Sequence, residues 1–152
     1  VNAQSLPTGP ATVTPLPQRI ALTEELRVVR IATADSLAGL RAVVSTWGRG
    51  ADLPADVLVD LLLAVGEATA NVVDHAYRGA VPGPMEVELQ LRRRRAGRAV
   101  TARIRDRGSW RSPDPSAADR GRGLPMIRAL ADHCVVSTTA QGTEVCLEIA
   151  AS

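Results

Sequence analysis

Two stretches in the middle of the chain alternate apolar and polar residues with a period of two. Met85–Arg94 is the first, Ala99–Asp106 is the second, and Ala96-Gly97 turns between them. The pattern predicts a β-hairpin. Successive side chains of a strand point to opposite faces. Val100, Ala102 and Ile104 therefore face a core, and Thr101, Arg103 and Arg105 face water. Asp106 falls on the apolar side. A carboxylate turned inward is costly unless it is paired or hydrogen-bonded. With Gly108 in the turn that follows, Asp106 reads as a group held to accept a hydrogen bond from a ligand.

A helical period takes over elsewhere. Leu58, Leu61, Leu62, Val65, Ala68, Val72 and Ala76 predict a long helix over 54–77, with Pro54 in its first turn and Gly79 near its end. Upstream, Leu26–Thr33 reads as a strand, and Ser36 as the N-cap of a helix running to about Gly48. Val81-Pro82-Gly83-Pro84 is a break. Residues 107–122 form a polar loop carrying Pro113 and Pro115. A helix over 124–132 and strands over 133–139 and 143–150, turning around Gln141-Gly142, close the chain. Residues 1–22 hold Pro, Thr and Ala without a period and read as a flexible leader, leaving 23–152 as one domain. Helices and antiparallel strands in this order predict an α+β fold: a two-layer α/β sandwich with a mixed, mostly antiparallel sheet and helices on one face.

Composition sharpens this picture in a few places. The 152 residues fit a single domain with a sizeable core, and with 2% aromatics and no Phe that core is aliphatic. There is no apolar run of about 18 residues and no signal-peptide pattern, so the expectation is a cytoplasmic chain without a membrane partner. A net charge of +2 does not suggest direct nucleic-acid binding. Arg92-Arg93-Arg94-Arg95 is read as a solvated hairpin end. All 18 basic residues are Arg. The absence of Lys excludes the Walker A nucleotide enzymes and the eukaryotic protein-kinase type, both of which need a phosphate-binding lysine. Cys134 and Cys146 lie on the two arms of the last hairpin and are read as reduced core thiols.

Candidate chemistry starts on the long helix. Glu67 and Asn71 are four apart and share a face, and Asp74, His75 and Arg78 continue the polar stripe. An amide oxygen suits Mg2+, a hard ion. A carboxylate one turn away can serve as general base. Taken alone, the pair also fits an ordinary solvated helix face. Gly121-Arg122-Gly123 opens the next helix. Glycines there let the backbone approach a ligand, free N–H groups at a helix start attract phosphate, and Arg122 adds charge. A Gly-x-Gly pair is also common in plain loops. Gly142-Thr143 sits at a hairpin turn, where glycine is ordinary.

In order, Glu67-x-x-x-Asn71, Asp106-x-Gly108, Gly121-x-Gly123-Leu124 and Gly142-Thr143 resemble the GHKL ATPase superfamily over roughly residues 26–149. The text from Val65 to Tyr77, and that from Gly121 to Ala131, looks most like the anti-sigma-factor serine kinases. The resemblance implies the GHKL (Bergerat) fold with ATP and Mg2+ as cofactors. It implies Mg2+ on Asn71 and Glu67 as base toward a substrate hydroxyl. Asp106 would accept the adenine amino hydrogen, Gly108 would let the purine lie close, and Thr143 would help hold adenine. Gly121, Arg122 and Gly123 would wrap the phosphates, with Asp74 and Leu124 inside the same nucleotide motifs, and residues 107–122 would form a short lid. The implied partners are a sigma factor and an anti-anti-sigma antagonist phosphorylated on Ser, and the implied assembly is a homodimer. The alternatives are a catalytically silent ATP-binding sequestration module and a detached histidine-kinase catalytic domain.

Overall fold

The computed structural model describes residues 24–95, 97–109 and 123–152. The leader, Ala96 of the hairpin turn and residues 110–122, including Trp110, Pro113, Pro115, Gly121 and Arg122, lie outside the described residues. The elements run β1 (Glu25–Ile31), α1 (Ala34–Gly50), α2 (Ala55–Asn71), β2 (Pro84–Arg94), β3 (Gly97–Asp106), α3 (Gly123–Leu130), β4 (His133–Thr139) and β5 (Gly142–Ala150).

The strands form one sheet in the order β1-β2-β3-β5-β4. All of its pairings are antiparallel, so the parallel component of the expected mixed sheet is missing among the described residues. Short hairpins join β2 to β3 and β4 to β5. Each can pair its strands only antiparallel, because a parallel pair needs a crossover of a dozen residues or more.

Alternation gives the sheet two unlike faces. Met85, Leu89, Ile104 and Leu147 point to the helices and are almost wholly buried, along with Leu61 of α2 and Ile127 of α3. On α2 the buried stripe is centred on Leu61, Ala64 and Ala68. Leu58 and Leu62 are only partly buried, because α1 packs beside α2 there and Leu58 Cδ1 lies against Gly48.

Two helix boundaries differ from the sequence reading. The N-cap of α1 is Thr33, whose extended backbone (φ −125°, ψ 155°) precedes the helix. Ser36 sits within the first turn, its N–H bonded to the Thr33 carbonyl at 3.0 Å and its hydroxyl 3.0 Å from Thr33 Oγ1. The long helix is α-helical only to Asn71 and continues as a π-helical turn, Val72–Ala76.

The outer face of the sheet is charged. Arg105 reaches Glu86 at 3.0 Å, Glu88 at 3.2 Å and Glu144 at 2.5 Å, and Arg27 meets Glu86 at 3.1 Å. The hydrogen bond from Arg27, helped by the charges of Arg27 and Arg105, holds the Glu86 carboxyl below its ordinary range. The hydrogen bond to Glu144 pushes the Arg105 guanidinium up.

The two cysteines take opposite faces. Cys134 pairs with inward Leu147, and Cys146 pairs with Val135 and Arg103 on the outer side. The reading as core thiols therefore holds for Cys134 alone, and burial raises the pKa of that thiol. Among the described residues no helix is long and apolar enough to cross a membrane.

Candidate functional site

The helix-facing side of the sheet ends in two polar residues. Asp106 closes β3 and is 6% exposed, and Thr143, the second residue of β5, is 3% exposed. The register that sets Ile104 against Val145 and Arg105 against Glu144 brings Asp106 opposite Thr143. Asp106 Oδ1 accepts the Gly108 N–H at 2.9 Å and the Thr143 N–H at 3.3 Å. The carboxylate is thus fixed by backbone donors on both sides. The neighbouring Gly142 adopts φ 134°, and a Cβ there would stand 2.0 Å from the Asp106 carbonyl oxygen. Glycine is therefore required by the approach of β5 to β3, beyond the needs of the hairpin turn. Thr143 Oγ1 is buried without a hydrogen-bond partner among the described residues. A buried hydroxyl left unpaired is unfavourable, so this atom is suited to a partner from outside the described residues.

A second cluster lies where α2 meets α3. Glu67 and Asn71 are half-buried on α2, one turn apart. Gly123, the first residue of α3, lies against both. A Cβ there would be 2.9 Å from Asn71 Nδ2 and 3.1 Å from Glu67 Oε2. A carboxylate, an amide and the amino end of a helix thus share one small space. Helix starts carry unsatisfied N–H groups and partial positive charge, which favour an anion. Gly121 and Arg122, the other two residues of this expected loop, lie outside the described residues. Leu124 is half-buried against the core, and Asp74 is exposed.

The π-helical turn connects the two clusters. It brings Ala76 against the chain that leaves β3, where Ser109 N–H bonds the Ala76 carbonyl at 2.9 Å. A Cβ on Gly108 would stand 1.9 Å from that carbonyl oxygen. Gly108 is therefore a glycine because the end of the helix lies on it. That reason is separate from the close approach of a purine that the resemblance implies.

Sequence reasoning passed over two residues here. Tyr77 donates to the Pro84 carbonyl at 2.6 Å and accepts the Arg107 N–H at 3.0 Å. Thr69 is buried on α2, with its hydroxyl on the carbonyls of Val65 and Gly66 at 2.8 and 3.0 Å. The only signal for Tyr77 was a lone aromatic next to a break in a chain nearly free of aromatics.

An apolar groove of about 190 Å3 between α1 and α2 is lined by Leu37, Val44, Leu62, Val65 and Thr69. Helical spacing puts these α2 residues on a different stripe from Glu67 and Asn71, so this groove is separate from the polar site.

Comparison with known proteins bears on the family and the fold. The profile of the histidine kinase-like ATPase domain family matches residues 31–149. Among solved structures, the RsbU and RsbW domains of Rv1364c from Mycobacterium tuberculosis superpose with a TM-score of 0.64 at 24% identity, over 84% of this chain and 32% of that one. This chain thus spans about a third of that protein. The histidine kinase domain from the Erythrobacter litoralis EL346 blue-light activated histidine kinase superposes with a TM-score of 0.51 at 16% identity, over 77% of this chain and 60% of that one. At these identities the likeness is one of fold.

Proposed function

Because the chain belongs to the histidine kinase-like ATPase domain family, we propose that it is an ATP- and Mg2+-dependent serine/threonine protein kinase of the anti-sigma-factor type. In this reading it binds a sigma factor and phosphorylates a small anti-anti-sigma antagonist on Ser. The observation that carries the reading is that two polar clusters stand on either side of the π-helical turn, which follows Asn71 and packs on Gly108. Asp106 and the Thr143 hydroxyl, which has no partner among the described residues, are on one side, and Glu67, Asn71 and the start of α3 are on the other.

The residues divide the work by their chemistry. Asp106, fixed by two backbone N–H groups, accepts the adenine amino hydrogen through its carboxylate. Thr143 Oγ1 bonds the base directly or through a water. By the family resemblance Gly121, Arg122 and Gly123 would wrap the phosphates, and the start of α3 would add its N–H groups. Asn71 would hold Mg2+ through its amide oxygen, a hard donor that suits this ion. Mg2+ keeps few protein ligands in sites of this kind. When bound, Mg2+ offsets the charge on the transferring phosphoryl group. Glu67 takes the proton from the incoming serine hydroxyl, which must approach to about 2.6–3.2 Å. The lid, the homodimer and a cytoplasmic setting belong to the same proposal.

The test is phosphoryl transfer from labelled ATP to a candidate antagonist. The reading expects acid-stable label on a serine, lost in Glu67→Gln while Mg-ATP binding is kept. Nucleotide binding without transfer would point to a sequestration module. Acid-labile label on a histidine would point to a histidine-kinase catalytic domain. Either result overturns the proposal.

A further inference from the structure

We infer that the Tyr77 hydroxyl is a latch that sets the path of the chain leaving β3, and that Tyr77 is thereby a positioning residue for the Asp106 side of the proposed nucleotide site. The inference rests on the nucleotide reading above. Its geometry is independent of that reading.

Tyr77 directly follows the π-helical turn. Its hydroxyl donates to the carbonyl of Pro84, the first residue of β2, and accepts the N–H of Arg107, the first residue beyond β3. One side-chain oxygen therefore ties the end of the long helix to both strands of the central hairpin. Arg107 lies between Asp106 and Gly108, and Gly108 N–H is a donor to Asp106 Oδ1. The Arg107 backbone has no freedom to turn without moving one of these bonds.

The surroundings are built around the ring. A Cβ on Gly83 would stand 2.4 Å from Tyr77 Cε1 and 2.7 Å from Cζ, so a larger residue would displace the ring and its hydroxyl. A Cβ on Gly108 would collide with the Ala76 carbonyl, one residue before Tyr77. Two glycines thus make room for the helix end on either side of the latch. π-Helical turns are rare and concentrate at functional sites. This one delivers Ala76 and Tyr77 to the chain that carries the Asp106 contacts. Phe at position 77 would fill the same space and lose only the two hydrogen bonds.

The experiment compares wild type with Tyr77→Phe and Gly83→Ala, using the full chain. Amide hydrogen exchange is read without nucleotide, and Mg-ATP affinity and the kcat/KM split are read with it. A net hydrogen bond is worth about two- to tenfold in an equilibrium constant. Tyr77→Phe is expected to speed exchange at Arg107 by about that factor, with sheet amides such as Leu89 unchanged. It is also expected to weaken Mg-ATP binding and raise KM for ATP while kcat at saturating ATP holds. Gly83→Ala keeps the hydroxyl but moves the ring, and is expected to give the same pattern.

Unchanged exchange at Arg107 in both variants would overturn the latch. Faster exchange with unaltered Mg-ATP affinity would overturn the link to the site. Failure of wild type to bind Mg-ATP would overturn the nucleotide reading and the positioning role with it, and exchange at Arg107 would still decide the latch.

Discussion

Replacing Thr143 with Val separates a residue kept for a ligand from one kept for the fold. The Thr143 hydroxyl is buried and has no partner among the described residues. Burying such a group costs about 1–3 kcal/mol in mutational data. Val has nearly the same shape and suits a strand, so Thr143→Val is expected to stabilise the free protein by about 1 kcal/mol. Thr69 is the internal control. It is equally buried, but its hydroxyl is bonded to the carbonyls of Val65 and Gly66. Thr69→Val is expected to destabilise by about 1 kcal/mol. Urea unfolding reads both, and equal slopes confirm that the unfolded states are comparable. Calorimetry then measures Mg-ATP affinity, which Thr143→Val is expected to lower by about two- to tenfold through the lost contact. Thr69→Val is expected to leave affinity alone. If Thr143→Val destabilised as much as Thr69→Val and bound Mg-ATP unchanged, the hydroxyl would have a structural role and the reasoning would fail.

Gly108→Ala places a Cβ 1.9 Å from a backbone oxygen, which no side-chain rotation relieves; the expected loss is at least about 1–3 kcal/mol, read as a lower urea midpoint. Glu86 is held below its ordinary carboxyl range by Arg27 and Arg105, so its contribution is complete above its unfolded pKa and is lost as pH falls through the lowered folded value. Glu86→Gln is therefore expected to flatten the acid limb of stability in urea midpoints taken from about pH 7 down to about pH 3, and a limb of unchanged steepness would contradict this. Burial pushes the Cys134 thiol up and leaves little thiolate at neutral pH. Its alkylation in the native protein is expected to be slow and to quicken as pH rises, and rapid labelling at neutral pH would count against the buried placement.

The central hairpin was legible because its alternation is regular. From Met85 to Leu91 in β2 and from Val100 to Asp106 in β3 every second residue is buried, and the register follows from the short turn between them. The same alternation turned Asp106 inward before any contact was known. The antiparallel character of the whole sheet was less visible, since the pairing of β1 and β5 with their neighbours depends on long-range contacts that leave no local signal. The π-helical turn was hidden for a related reason. Val72 and Ala76 keep the helical period in sequence, and only the packing of Ala76 on Gly108 distinguishes the wider turn.

Spacing placed Glu67 and Asn71 on one face, but their meeting with Gly123 needs α3 to fold back across α2, and no pattern in the chain encodes that contact. Thr143 looked weak in the sequence because a glycine at a hairpin turn explains itself. The observation that singles it out, a buried hydroxyl without a partner among the described residues, is one that only packing reveals. Cys146 was misplaced because both cysteines fall in half-buried strands. The pairing of Cys134 with Leu147 and of Cys146 with Val135 puts them on opposite faces.

The most direct test is a calorimetric titration of the intact chain with Mg-ATP, run beside Asp106→Asn. A hydrogen bond to a charged group is worth about 1.5–3 kcal/mol. Wild type should therefore bind with measurable heat, and the variant should bind at least about tenfold more weakly while keeping its fold. Equal affinity in the two proteins, or no binding by either, would mean that the buried carboxylate at the end of β3 does not hold a nucleotide base.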